Sequence, residues 1–109
     1  MTLQQLRYFC VTAEVLHYTR AAALLYVSQP SLSYALSKLE KELGMPLFEK
    51  QGKQIALTQY GAEFLPYAKR ALSELSKGQD RLKELNTPGA GGARQIDDMI
   101  YFASAYQPD

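Results

Sequence analysis

The strongest constraint in this sequence is a helix whose start, apolar face and end are all marked. Ser28 is a favourable N-cap, and Pro30 fits the first turn because a proline there gives up no helical hydrogen bond. Gly44 followed by Pro46 is a stop signal. Between these signals, leucines recur at helical spacing at Leu32, Leu36, Leu39 and Leu43. The pattern predicts a helix from 29 to 43 with a narrow core-facing stripe.

Two shorter helices are predicted before it. Thr2 followed by Gln5 has the spacing of a capping box, and apolar residues then recur at helical spacing, which predicts a first helix from 3 to 15. Thr19 is the candidate N-cap of an alanine-rich second helix from about 20 to 26. A turn of about three residues, 26 to 28, then leads into the leucine-marked helix.

The pattern changes after Gly44. Two short apolar arms in the segment 47–57 surround Gln51-Gly52, which predicts a small hairpin. Thr58 then caps a long helix to about Leu85, and Pro66 inside it predicts a kink. A heptad-like stripe runs along this helix through Leu65, Ala68, Leu72, Leu75 and Leu82. We interpret the stripe as a seam for a second copy of the chain; the alternative is packing against its own domain.

Composition excludes several classes of function. Apolar residues make up 47% of the 109 residues and charged ones 21%, as in a globular chain, and the net charge is +1. The chain has one cysteine, Cys10, and one histidine, His17, so a disulfide scaffold and clustered metal or catalytic sites are not expected. No segment has the length and apolarity of a membrane span or the pattern of a signal peptide. We therefore expect a cytoplasmic protein that is not an enzyme, with no metal and no cofactor.

One face of the predicted helix 29–43 is polar and short. It carries Gln29, Pro30, Ser31, Ser33, Tyr34, Ser37, Lys38 and Lys41. Short hydroxyls allow a close approach to a surface, a glutamine can pair with adenine, and a helix N-terminus offers N–H groups to phosphate. From this face alone, DNA contact and simple solvation remain open. A short helix, a tight turn and a second helix followed by a hairpin form a helix-turn-helix arrangement, which favours DNA. The alternative is a protein-interaction module that uses the same helices.

The sequence from Phe9 to Gly61 resembles the N-terminal domain of LysR-type transcriptional regulators, and the resemblance extends over about residues 2 to 86. The matching features are Phe9, Ala13-Glu14, Thr19-Arg20-Ala21-Ala22, Ser28-Gln29-Pro30 with Ser33, Leu39-Glu40, Leu43-Gly44, Leu47-Phe48, and Leu57-Thr58 with Gly61. The implied fold is mainly α: a winged helix-turn-helix of three helices and a β-hairpin wing over 1–57, then a linker helix over 58–86. The resemblance also implies a homodimer through that helix, binding interrupted inverted repeats of double-stranded DNA.

The resemblance assigns roles to individual positions. The positions that match base contacts are Gln29, Pro30, Ser33 and Tyr34, and those that match phosphate contacts are Thr19, Ser28, Ser31 and Lys38. Lys50 and Lys53 match wing contacts. Tyr34 stands where the family commonly has arginine, so an aromatic hydroxyl replaces a charged base contact.

Full-length regulators of this type continue into a domain that senses a small molecule, and some form tetramers. Residues 87–109 are expected to form a hinge and then the first strand of such a domain or a tail. The glycine-rich segment NTPGAGGARQ, which begins at Asn86, predicts the hinge, and IDDMIYFASAY follows it. We expect a fragment of a longer regulator, with a natural short protein as the alternative. An effector is expected only if that domain exists.

Overall fold

The computed structural model describes residues 1–86, and the predicted hinge and tail at 87–109 lie outside this part. Three helices precede a β-hairpin, and a long helix follows it, which confirms the predicted mainly α winged helix-turn-helix. The elements are α1 (Leu3–Val15), α2 (Tyr18–Leu25), α3 (Gln29–Leu43), β1 (Phe48–Gln51), β2 (Gln54–Leu57) and α4 (Gln59–Leu85). No helix among residues 1–86 is both long enough and apolar enough to span a membrane.

The helix ends are set by local chemistry. At the start of α1, the Gln5 N–H donates to the Thr2 hydroxyl and the Thr2 N–H donates to the Gln5 side chain, which confirms the capping box. Ser28 caps α3, and Gly44 ends it in the left-handed region at φ 78°. Both ends of α3 are therefore as predicted.

The start of α2 differs from the prediction. His17 is the N-cap, and its Nδ1 accepts a hydrogen bond of 3.0 Å from the Arg20 N–H. The helix consequently begins at Tyr18, and the prediction that Thr19 caps it is wrong; Thr19 lies in the first turn. An imidazole nitrogen can serve as the capping acceptor just as a hydroxyl does.

The core is formed by residues of all four helices and of the base of the hairpin. Phe9, Leu32 and Leu39 have no exposed surface, and Leu36 is 3% exposed, which confirms the apolar stripe of α3. The Phe9 ring lies 5.6 Å from the ring centroids of both Phe48 and Phe64. Burying aromatic and leucine side chains of this kind stabilises a fold by about 1.5–3 kcal/mol each. This packing fixes α3 with its other side exposed.

The hairpin is antiparallel and short. Phe48 pairs with Leu57 and Gln51 pairs with Gln54, so the turn is Gly52-Lys53, one residue later than predicted. Gly52 supplies the left-handed backbone that the turn needs, at φ 63°. Lys53 therefore lies in the turn itself, while Lys50 lies in β1.

The long helix α4 begins against the core and then extends past it. Gly61 allows the close approach, because a Cβ at this position would lie 2.2 Å from the Leu47 carbonyl oxygen. The helix assignment is continuous through Pro66. Ala68 is 1% exposed, and Leu65 and Leu72 pack against the same core.

The five residues predicted to form the dimer seam fall into two groups, which differ in whether their own domain covers them. Ala68 is buried in the core of its own chain, as the alternative interpretation of the stripe expects, and its contact with a second subunit stays a prediction. Leu65 and Leu72 also face their own domain. Leu75 and Leu82, beyond the core, are 48% and 42% exposed.

Candidate nucleic-acid interface

The N-terminal half of α3 is anchored on one side and exposed on the other. Gln29, Pro30 and Ser31 are exposed, Ser33 is half-buried, and Tyr34 is 68% exposed. At about 100° per residue, Pro30 and Tyr34 therefore lie opposite the buried leucines of α3, while Gln29 and Ser33 lie at the edge of this exposed side. A helix held in this way can enter a groove without rearrangement of the core.

Two of these side chains are already ordered by a hydrogen bond. The Gln29 Nε2 donates to the Ser33 Oγ at 2.8 Å, one helical turn further on. Within residues 1–86, the Gln29 amide oxygen has no partner. This bond restricts the rotamers of both side chains before any ligand binds, which reduces the entropy lost on binding.

The first turn of α3 carries a pair of hydroxyls. The Ser31 N–H donates to the Ser28 Oγ at 3.2 Å, and the Ser28 Oγ donates to the Ser31 Oγ at 2.8 Å. The Ser31 hydroxyl hydrogen is then available to an acceptor outside the helix. This end also carries the positive end of the helix dipole, which favours an anion such as phosphate.

Tyr34 and Lys38 form a unit on the same side of α3. The Lys38 ammonium lies 5.8 Å from the centroid of the Tyr34 ring, at the range of a cation–π contact. Lys38, which is predicted to contact phosphate, therefore lies beside Tyr34, the residue that stands where the resemblance implies an arginine. The sequence did not predict this association, although the spacing of four residues allows it on any helix.

The turn between α2 and α3 presents an exposed aromatic residue, Tyr26, for which the sequence predicted no role. Tyr26 is 95% exposed and adopts a left-handed backbone at φ 58°, which is unusual for a bulky side chain. Its N–H donates to the Ala23 carbonyl, and the Val27 N–H donates to the Ala22 carbonyl, so the turn is closed by backbone bonds. The predicted phosphate contact Thr19 is exposed in the first turn of α2.

The hairpin is tied to α3 by a carboxylate. The Glu40 Oε2 accepts hydrogen bonds from the Leu47 N–H at 2.5 Å and from the Phe48 N–H at 3.2 Å. Glu40 belongs to the same helix as the predicted base contacts, so it fixes the start of the hairpin relative to them. At the far end of the hairpin, Lys50 and Lys53 are exposed.

The described residues meet neither the requirements of a metal site nor those of a reactive thiol. No group of three or more His, Cys, Asp or Glu side chains within residues 1–86 lies close enough to hold a metal ion. Burial raises the pKa of the Cys10 thiol above its ordinary value, and the positive charge of Lys69 opposes this effect. A thiol of this kind is protonated at neutral pH and is a poor nucleophile.

Comparison with known proteins relates this arrangement to a family. Residues 3–62 match the family described as bacterial regulatory helix-turn-helix proteins, lysR family. The chain is 40% identical over 91 residues to the HTH-type transcriptional regulator YybE of Bacillus subtilis (strain 168), covering 84% of this chain and 31% of that protein. The chain therefore spans about a third of the length of the curated relatives it matches.

Solved structures with the same fold include protein–DNA complexes. The BenM DBD in complex with catB site 1 DNA is 35% identical, with a TM-score of 0.75 over 78% of this chain and 94% of that one. The CbnR DBD–DNA complex is 36% identical, with a TM-score of 0.74 over 80% of this chain and 100% of that one. In both structures the matched domain is in complex with DNA.

Proposed function

This chain belongs to the lysR family of bacterial regulatory helix-turn-helix proteins, and we propose that it is the sequence-specific DNA-binding part of a transcriptional regulator. The observation that carries the proposal is α3, whose leucines hold it in the core while a continuous polar side remains exposed. The similarity to two DNA-bound domains supports the same reading. The family consists of regulators, which confirms the expectation that the chain is not an enzyme.

In the proposed complex, α3 enters the major groove with its N-terminal half. Gln29 pairs with adenine through its amide, oriented by Ser33, because a glutamine matches the donor and acceptor of that base edge. Pro30 and Tyr34 contact neighbouring bases from the same side. Tyr34 offers a hydroxyl and a ring where an arginine would favour guanine, so we expect a weaker guanine preference at that position.

The proposed phosphate contacts surround this side. Ser28 and Ser31 lie at the helix N-terminus, and Thr19 lies at the start of α2. Lys38 lies further along α3, and the wing lysines, Lys50 and Lys53, reach a neighbouring stretch of backbone. Such contacts position the protein and supply affinity without reading sequence.

We propose the dimer and its site as part of the same function. Residues 1–57 act as the DNA-binding domain, 58–86 as the linker and dimerisation helix, and 87–109 as a hinge followed by the start of an effector-binding domain or by a tail. A two-fold dimer presents two copies of α3 to two half-sites, which requires an inverted repeat. The protein works in the cytoplasm, on the nucleoid. A small-molecule effector and a tetramer are part of the proposal only for a form of the protein that carries an effector-binding domain.

Salt-dependent DNA titration tests the proposal. Specific binding should persist in an excess of unrelated DNA. The logarithm of its Kd should increase linearly with the logarithm of the salt concentration. If no DNA is bound at low salt, the proposal is wrong, and the exposed side of α3 is a surface for protein.

A pair of substitutions separates base reading from general affinity. Gln29→Ala with Ser33→Ala should remove discrimination between sites while nonspecific binding changes little. Ser73→Ala on α4 is the control, since Ser73 is exposed on a helix that the proposal does not place in the groove. Unchanged discrimination in the Gln29 and Ser33 variant contradicts the proposed role of α3.

A further inference from the structure

An open groove of about 500 Å³ lies between the first half of α1 and the exposed side of α3. We call it the α1–α3 groove. Gln4 and Tyr8 of α1 form one wall, and Pro30, Tyr34 and Lys38 of α3 form the other. The α3 wall therefore carries two of the proposed base contacts and one proposed phosphate contact. The α1 wall consists of residues to which the function proposed above gives no role.

The two helices run in opposite directions along this groove. The Met1 ammonium, just before α1, pairs with the Glu42 carboxylate near the end of α3. Tyr8 lies about 10 Å further along α1 at 1.5 Å per residue, which brings it level with Ala35 in the middle of α3. Ala35 also lines the groove, next to Tyr34. The α1 wall thus flanks the part of α3 that is proposed to enter the major groove.

The Tyr8 hydroxyl is a donor without a partner. Tyr8 is 8% exposed, and its hydroxyl makes no hydrogen bond within residues 1–86. It is not among the fully covered polar atoms of this part of the chain, so some of its surface is accessible, and the α1–α3 groove is the space that Tyr8 lines. A tyrosine with a buried ring usually has a partner for its hydroxyl. This hydroxyl is therefore available to an acceptor that enters the groove.

The α1–α3 groove suits an anion. Lys38 is among its lining side chains, whereas no Asp or Glu of residues 1–86 lines it. The Lys38 ammonium lies 5.8 Å from the centroid of the Tyr34 ring, which keeps the positive charge at the groove. The Glu42 carboxylate, further along α3, is already paired with the Met1 ammonium. Gln4 is half-buried, and its amide can donate from the α1 wall.

We propose that the α1–α3 groove binds a backbone phosphate of the DNA on which α3 is seated, with Tyr8 as the donor from α1 and Lys38 as the positive charge from α3. This inference rests on the function proposed above and adds α1 to the DNA-binding surface. Pro30 and Tyr34 favour DNA over a free anion, because they are proposed to contact bases and belong to the wall of the same groove. A strand whose bases meet Tyr34 carries its phosphates past this wall.

Tyr8 differs from the other proposed phosphate contacts in being rigid. Its ring belongs to the hydrophobic core, so its hydroxyl is held in place before DNA binds. A donor of this kind loses little side-chain entropy on binding, in contrast to the exposed Lys38. Tyr8 therefore sets how α3 is oriented on the duplex, as phosphate contacts do, without reading sequence.

Tyr8→Phe in the 109-residue chain removes the hydroxyl and keeps the ring. It should weaken binding to a duplex with one half-site about fivefold to tenfold, and unrelated DNA by the same factor. The slope of log Kd against log salt should stay unchanged, because no positive charge is lost. Tyr67→Phe is the matched control, since Tyr67 is 64% exposed on α4 and lies outside this groove. An unchanged Kd for Tyr8→Phe, with urea unfolding showing a folded protein, overturns the inference.

Neutral methylphosphonates, placed one at a time along the same duplex, identify the phosphate. At one position the methylphosphonate should weaken binding of the unchanged chain about fivefold to tenfold and binding of Tyr8→Phe by a smaller factor, because that variant has already lost one contact. A purely structural role of Tyr8 would make the two effects additive. Additivity at every position overturns the inference.

Opposite charges at Gln4 test the α1 wall without altering Tyr8. Gln4→Lys should tighten binding about fivefold and Gln4→Glu should weaken it about fivefold, because each places a charge beside the phosphate. The same two substitutions at Gln79, which is exposed on α4, are the control and should change the Kd less than about twofold, since salt screens distant charges. Equal effects at Gln4 and Gln79 contradict a phosphate in this groove.

The outcomes separate this inference from the proposed function. If the unchanged chain binds no DNA, both are wrong. If it binds DNA and discriminates between sites while Tyr8→Phe binds equally well, α3 reads DNA and the α1–α3 groove holds no phosphate.

Discussion

Glu40 joins the wing to α3, and its removal is expected to lower the free energy of unfolding by about 2–3 kcal/mol. Its carboxylate accepts the Leu47 and Phe48 N–H groups, and these two residues are 1% and 8% exposed. A hydrogen bond to a charged group contributes about 1.5–3 kcal/mol, and a buried donor left unpaired costs about 1–3 kcal/mol. Because Glu40 is half-buried and the second bond is long, the lower part of the combined range applies.

Urea unfolding followed by circular dichroism, at one fixed protein concentration, measures this effect for Glu40→Ala. Glu40→Gln should lower the free energy of unfolding by about half as much, because the amide oxygen can still accept a hydrogen bond although the negative charge is removed. Glu49→Ala is the matched control, since Glu49 is an exposed carboxylate on the same hairpin. A loss below about 0.5 kcal/mol for Glu40→Ala would refute the reasoning, since surface substitutions lie in that range.

Four further substitutions test separate parts of the account. Thr12→Val should stabilise the fold by about 1 kcal/mol, since the buried Thr12 hydroxyl has no partner within residues 1–86. Gly61→Ala should destabilise it by about 1–3 kcal/mol, because the new Cβ meets the Leu47 carbonyl; urea unfolding measures both. Burial, and to a smaller extent the Glu40 carboxylate, raise the pKa of the Tyr18 hydroxyl above its ordinary value. The stability that Tyr18 contributes is therefore complete below about pH 10 and is lost as the pH rises through the folded-state pKa. Tyr18→Phe should therefore flatten the decline of stability at alkaline pH, measured by urea unfolding at several pH values. Lys53→Ala should reduce the slope of log Kd for DNA against log salt by about one, measured by titration.

Each of these has an outcome that contradicts it. A destabilised Thr12→Val protein means that the hydroxyl has a partner. A neutral Gly61→Ala means that α4 can move away from the hairpin without cost. If stability falls with alkaline pH equally for Tyr18→Phe and the unchanged chain, the predicted role of Tyr18 is wrong. If Lys53→Ala leaves the slope of log Kd against log salt unchanged, Lys53 does not contact phosphate.

Helix boundaries were predictable where the signal is local. Ser28 and Gly44 fix α3 through hydrogen bonds and backbone angles that involve only neighbouring residues, so the sequence suffices. The buried stripe of α3 follows in the same way from helical spacing. The cap of α2 was missed because Thr19 is the residue type that usually caps, whereas His17 performs this role by an imidazole nitrogen.

Helical periodicity does not decide which apolar residues of α4 are covered by their own domain. Two apolar rows lie side by side on this helix, and spacing alone does not say which one its own domain covers. The heptad-like pattern led to Ala68, which is buried in the core, whereas the exposed Tyr60 and Tyr67 lie outside that pattern. Only the position of α4 against α1 resolves the choice. The roles of Gln29, Ser33 and Tyr34 toward DNA stay predictions, although the structure places all three on the exposed side of α3 or at its edge.

The central claim is that the exposed side of α3 reads DNA sequence, and selection from a random pool of double-stranded DNA tests it most directly. The 109-residue chain should enrich two half-sites in inverted orientation, and the Gln29→Ala, Ser33→Ala variant should lose the preference at the same positions of each half-site. Enrichment of no common sequence by the unchanged chain, or an identical preference in the variant, would contradict the claim.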